Sequence, residues 1–170
     1  MQSSITELGR EELLGLLQDA SLNWLAHDGL WFQAVEEKFG TTEASLCNQK
    51  AIAIYSEIEA KRIKRRFHLT QGGIPDLMQA LKFRMYHLIN EQDFVEVSGN
   101  RCIFRMVGCR VQQTRKQKGL PDYPCKAVGI KEYSHFAKTI DPRIQTRCVA
   151  CPPDMHPDQY WCAWEFFMDA

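Results

Sequence analysis

The chain has 170 residues, 45% hydrophobic and 25% charged, which supplies a sizeable core and argues against a disordered chain. Lys+Arg and Asp+Glu both total 21, so the formal net charge is zero, whereas a dedicated nucleic-acid binder normally carries a basic surplus. No run approaches the roughly 18 apolar residues of a membrane span, and MQSSITELGREELLGLLQDA lacks the basic-then-apolar order of a secretory leader.

REELLGLLQDA (10–20) reads as a first short helix with Leu13, Leu14 and Leu17 on one face. Ser21 is a candidate cap for a second, NWLAHDGLWFQAVEEKF (23–39), stopped by Gly40. Its apolar arc holds Trp24, Leu25, Trp31, Phe32, Val35 and Phe39. Asp28 falls in the middle of that arc, with His27 at its edge. An unpaired carboxylate there is costly, so Asp28 needs either a structural ion-pair partner or a wet pocket. Both readings are open from the sequence. A third helix runs from Thr42 to Phe67 and carries the basic run Lys61, Arg62, Lys64, Arg65 and Arg66 at its end, where cations suit the helix dipole. Cys47 lies alone on it, the pattern of a small core residue. Gln71-Gly72-Gly73 breaks the chain before a fourth helix, IPDLMQALKFRMY (74–86).

Strand periodicity then takes over. DFVEVSGNRCIFRMVG (93–108) reads as a hairpin turning at Gly99-Asn100. QQTRKQKG (112–119) predicts a short helix, KAVGIKEYSHFAKTI (126–140) a longer one, and RIQTRCVA and YWCAWEFFM two last strands around the loop CPPDMHPDQ. The expected fold class is α+β: an N-terminal helical half (1–90, about four helices) packed on a Cys-rich half (91–170) with an antiparallel sheet and two further helices. The two halves together make one compact domain.

Five of the seven cysteines, Cys109, Cys125, Cys148, Cys151 and Cys162, lie in the second half. An odd count fits a disulfide framework poorly, and the expected location is a reducing cytoplasm. Soft thiolates delivered from strand ends and turns suit zinc or an iron–sulfur cluster. Cys109, Cys125, Cys151 and Cys162 are the candidate ligands. Cys148 is half of a CxxC inside a strand, where residues three apart face opposite ways, so it reads as core. A buried reduced cluster and a reactive thiol, for instance Cys125 with His135, are the alternatives. His156 is a weaker ligand candidate than a solvated loop residue.

LAHDGLWFQAVEEKFG, GLPDYPCKAVGIKEYSHFAKTIDPRI, RCVACPPD and YWCAWEF together resemble an uncharacterised prokaryotic family of cytosolic proteins, over about Trp24 to Phe166. The C-terminal half is distantly similar to the L-2-amino-thiazoline-4-carboxylate hydrolase family and to 4-vinyl reductase-like domains. The second likeness implies a small-molecule-binding α+β module with a Cys-ligated zinc, to which Cys125, Cys151 and Cys162 correspond and which Cys109 completes. The first implies hydrolysis of a small cyclic C–N or C–S bond.

The leading expectation is a small-molecule-binding domain with a Cys-ligated structural metal. Its pocket would lie between the helical half and the sheet, lined by Trp24, Trp31 and Trp164, with His27 and Asp28 fixing polar groups of the ligand. A hydrolase is the alternative, and a DNA-binding regulator using residues 61–66 the second. A small-molecule ligand or substrate is the expected partner, a homodimer is left open, and neither membrane nor nucleic acid is expected.

Overall fold

The computed structural model describes residues 4–169. Within them the chain forms an α+β structure in which helices cover one side of a four-stranded antiparallel sheet.

Helix α1 (Arg10–Arg66) is broken at Gly40, whose φ of 84° lies in the left-handed region that glycine reaches without a Cβ clash. The break folds α1 into two antiparallel arms, 10–39 and 41–66. Trp24 and Tyr55, placed almost symmetrically about Gly40, stack with ring centroids 5.4 Å apart. The stop predicted at Gly40 is therefore a hairpin turn. The separate helix predicted over 10–20 is not separate, because the first arm runs on without interruption. Ser21 is buried and its Oγ donates to the Leu17 carbonyl at 2.9 Å. That back-bond satisfies the hydroxyl inside the helix, so Ser21 caps nothing. Leu13, Leu14 and Leu17 are exposed, because nothing in the described chain covers the opening turns of this arm.

Helix α2 (Gly73–Lys82) begins where Gly72 and Gly73 both take positive φ. The Gly73 N–H donates to Asp141 Oδ2 at 2.8 Å. A Cβ on Gly72 would stand 2.5 Å from that same oxygen, so the close approach needs glycine. α2 ends at Lys82, short of the predicted end at residue 86. Arg84 follows in extended conformation and points inward, and a 3-10 turn spans Met85–Leu88.

The sheet holds β1 (Glu91–Val95), β2 (Arg101–Gly108), β3 (Gln145–Ala150) and β4 (Cys162–Phe167), in the order β1-β2-β4-β3. Between β2 and β3 run α3 (Arg110–Gln117) and α4 (Lys126–Ile140). Strand alternation puts Cys102, Phe104 and Met106 of β2 opposite Phe166, Trp164 and Cys162 of β4, and all six are buried beneath the helices. The main core joins this face to Tyr133, Phe136, Ala137 and Ile140 of α4, to Ile74, Leu77 and Leu81 of α2, and to Ala60 and Ile63 of α1. Both sequence halves thus contribute to one core. A smaller cluster of Ile52, Tyr123 and Val128 closes the gap beneath the second arm.

Helix α4 is the joint between layers. One side of it meets α1, and the other lies on the sheet so closely that Gly129 touches the indole of Trp164. A glycine in the middle of a helix costs about 1 kcal/mol relative to alanine. Here it is the residue that lets helix and sheet approach.

Candidate functional site

Between the first arm of α1, the α3–α4 connection and the sheet lies a cavity of about 510 Å³. That is ample for a small organic molecule. Its wall is largely apolar and aromatic, with Phe32, Tyr86, Tyr123, Tyr133 and Trp164 among the lining residues. Polar chemistry enters from Asp28, from Glu132 and from a group of thiols.

Asp28 lines the cavity. Its side chain is exposed to solvent, with protein crowding the carboxyl from one side. The resulting desolvation pushes its carboxyl above the usual carboxylate range, with only His27 pulling back. Among the described residues no ion pair or hydrogen bond holds the carboxylate, so the structural ion pair open from the sequence is not formed. His27 itself is exposed and is not part of the wall. Trp24 also stands behind the wall. It stacks on Tyr55 and meets the edge of Tyr86 at 5.0 Å, so it supports a lining residue without being one. Trp31 is 68% exposed on the outer side of the arm. It lies about 60° round the helix from Asp28, at the edge of the apolar arc, and an arm covered from one side leaves that edge in solvent. Trp164 is 1% exposed and lines the cavity, and its indole N–H has no acceptor.

A buried ion-pair triad adjoins the cavity, with Glu132 in its wall. Arg84, 2% exposed, donates through Nε to Glu59 Oε2 at 2.8 Å, and its Nη1 lies 2.8 Å from Glu132 Oε1. The second approach is off the hydrogen-bonding direction, which leaves Oε1 without a donor. Burial pushes the Glu132 carboxyl up, and Arg84 pulls it back. The guanidinium also lies 4.8 Å from the centroid of the Phe136 ring. Glu59, Arg84 and Glu132 escaped the sequence reading, although a signal was present. Glu132 interrupts the apolar face of α4 as Asp28 interrupts that of the first arm.

The thiols gather at the other end. Cys109 caps the start of α3, and Cys125 caps the start of α4. Cys151 follows β3, and Cys162 opens β4. All four line the cavity. The Lys126 N–H donates to the Pro152 carbonyl at 2.9 Å, which holds the head of α4 against the loop after Cys151. Cys125 Sγ is 3.4 Å from Cys151 Sγ, within hydrogen-bonding reach, and the Cys162 thiol neighbours Cys151. That hydrogen bond from Cys151 pulls Cys125 below the ordinary thiol range against its burial. The same contact, with the one to Cys162, pushes Cys151 far up. Burial drives Cys109 up to about 12. Gln112, 1% exposed, clamps the segment that delivers Cys125: its Nε2 donates to the Tyr123 carbonyl at 2.8 Å and its Oε1 accepts from the Tyr123 N–H at 2.9 Å. A glutamine in a polar run gave the sequence no signal of this role.

A tetrahedral zinc with about 2.3 Å bonds to sulfur would need sulfur–sulfur edges near 3.8 Å. The Cys125–Cys151 separation of 3.4 Å is close to that, and the donor chemistry suits a soft metal. Among the described residues no three His, Cys, Asp or Glu side chains form a ready metal cage. Cys148 lies outside the cavity, packed at the edge of the core. Cys47 is exposed, against the expectation of a core residue. His135 bonds Glu57 at 2.9 Å and stands ten residues along α4 from Cys125, roughly 15 Å of helix, so the two do not form a nucleophile–base pair. His156 tilts over Trp161, with its Nδ1 3.0 Å from the Pro157 carbonyl. Of the basic run, Lys64 donates to the Ile140 carbonyl at 2.7 Å and Lys61 pairs with Glu57, while Arg62, Arg65 and Arg66 face solvent.

A family model covers residues 6–168, nearly the whole chain. The chain belongs to a family of unknown function, DUF6125. No curated protein and no solved structure matches it. No helix among the described residues is long and apolar enough to cross a membrane.

Proposed function

We propose that this protein is a small-molecule-binding domain, and that the cavity between the first arm of α1 and the sheet holds the ligand. The observation that carries this is the unpaired Asp28 carboxylate at the wall of a largely aromatic and apolar cavity of about 510 Å³. Asp28 is exposed to solvent, yet nearby protein partly desolvates its carboxyl and no partner offsets that. The resemblance to 4-vinyl reductase-like binding domains supports the same reading. A reducing, cytoplasmic location is part of the proposal, supported by seven cysteines that are all free. The test is native mass spectrometry of the gently purified protein, together with calorimetry against a panel of small aromatic compounds. A retained or saturably bound compound whose affinity falls in Asp28→Asn supports the domain; no binding across the panel sinks it.

The thiols belong to the same proposal as a structural metal site. Cys109, Cys125, Cys151 and Cys162 would hold zinc, or an iron–sulfur cluster, whose role with four thiolates is to tie α3, α4 and the sheet together. Their convergence on one cavity supports this. Elemental analysis of protein purified without added metal tests it. About one metal per chain with about four protected thiols is expected, and seven freely titrating thiols without metal would refute it.

One observation favours a second reading, a hydrolase acting on a small cyclic C–N or C–S bond. Cys125 stands at the N-terminus of a 15-residue helix and opens on the cavity, a position that suits a thiolate nucleophile. The thiolate would add to the ring carbon, the ring C–N or C–S bond would break as a solvent proton goes to the departing heteroatom, and water would release the acyl group and return the Cys125 thiolate. Turnover of a thiazoline or a related ring by the wild type and none by Cys125→Ser supports it. Equal turnover by both excludes it.

A further inference from the structure

Resting on the binding-domain reading, we propose that the ligand is a small organic cation, an arylalkyl ammonium, with its positive group at Asp28 and its body among Tyr86, Tyr133 and Trp164.

The charges around the cavity point one way. Arg84 is shared between Glu59 and Glu132, so one cation already serves two carboxylates. Asp28 adds a third acid without adding a base, and its charge helps to push the Glu132 carboxyl up. The basic lining residues do not correct this. Arg115 is bound to both oxygens of Glu36, at 3.0 and 3.3 Å, and to the Pro121 carbonyl. Lys118 and Arg110 are exposed, as Asp28 is, and Lys118 donates to Gln33, so the enclosed surplus is that of Glu59 and Glu132 over Arg84. An anion would therefore meet surplus negative charge inside, whereas a cation would complete it.

The lining supplies the rest of the recognition. Tyrosine and tryptophan faces attract ammonium groups and stack on an aromatic body. An independent observation points to the far end of the ligand. The Trp164 indole N–H is buried and has no acceptor, a state that is costly to leave unmet. A ligand oxygen, such as an ether or a phenol, would satisfy it. The ligand class is thus an ammonium at one end, an aromatic ring, and a hydrogen-bond acceptor at the other.

The experiment is isothermal titration of the full chain with 4-methoxyphenethylammonium, with 3-(4-methoxyphenyl)propanoate as its anionic counterpart, and with neutral 4-propylanisole. The cation is expected to bind at least about tenfold more tightly than either. Asp28→Asn should lower the cation's affinity by about the same factor and leave the neutral compound unchanged, while Asp28→Glu keeps the preference. Unsubstituted phenethylammonium should bind more weakly than its methoxy derivative. Circular dichroism confirms that each variant is folded, and the three-ligand comparison on the wild type needs no variant. If the anion or the neutral compound binds as well as the cation, the cation proposal is overturned and the cavity remains a binding site. If none of the three binds at millimolar concentration while other compounds do, only the ligand class is wrong; if nothing binds, both readings fall.

Discussion

Gly129→Ala sets two effects against each other at one atom. Alanine is the better helix former, by about 1 kcal/mol in a helix interior. Against that, the added Cβ would stand 2.5 Å from Trp164 Cζ2 and 2.9 Å from Cη2. Carbon atoms need about 3.5–4.0 Å, so roughly 1 Å of space must be made. The indole cannot swing into water, since Trp164 is fully buried and packs against Tyr133, ring centroids 4.9 Å apart. Either α4 lifts from the sheet or the indole moves toward the cavity. Overpacking of this kind costs about 1–3 kcal/mol, and the severity of the contact puts it at the upper end. The net expectation is a loss of about 1–2 kcal/mol, or a melting temperature lower by roughly 2–8 °C for a chain of this length. Gly15→Ala is the control. It lies in α1 with nothing within 4 Å of its added Cβ, so it should raise stability or leave it unchanged. Thermal melts by circular dichroism compare the two. A Gly129→Ala variant that melts at or above the wild-type temperature would refute the claim that Gly129 is held by helix–sheet contact.

Other expectations concern the buried charges and thiols. Arg84→Ala should cost about 3–5 kcal/mol in urea unfolding, because it strands two buried carboxylates, whereas Glu132→Gln should cost less; equal small losses would mean the triad is not buried as described. Asp141 is covered by its own partners rather than by depth of protein, and its hydrogen bonds from Arg143 hold its carboxyl well below the usual range. A depressed carboxyl contributes stability above its unfolded pKa of about 3.9 and loses it as pH falls through the folded value. Acid titration should therefore show a loss below about pH 4 that Asp141→Asn lacks, its baseline stability already being lower. With a maleimide under native conditions, exposed Cys47 should label first and the fully covered Cys102 and Cys151 last. Early labelling of Cys102 would contradict the sheet register.

The strand and helix boundaries of the second half were legible because their signals are local. α4 spans the stretch predicted for it, 126–140, between a turn ending at Cys125 and the Asp141-Pro142 stop. β4 (Cys162–Phe167) lies within YWCAWEFFM, the stretch predicted as the last strand. The first arm misled it. A serine before an apolar run looks like a cap, but Ser21 bonds back into the same helix, and only the neighbouring backbone decides between the two. The apolar arc of that arm was real, yet Trp31 and Phe39 are exposed, since periodicity shows which residues are alike and not which of them another layer covers.

Asp28 shows the division most clearly. Its place on an apolar face was written in the sequence, and that alone marked it as a residue needing a partner or a pocket. The partner's identity and absence were not, because Arg84 and Glu132 come from distant segments and pair with each other. The sequence by itself determined the periodicities, the breaks at Gly40 and Gly72-Gly73, the α+β class and the set of thiols. Tertiary structure alone decided that the thiols of four elements and the carboxylate of a fifth line the same cavity. Local propensity acts over a few residues, whereas a cavity is made by surfaces that meet only after the chain has folded back on itself.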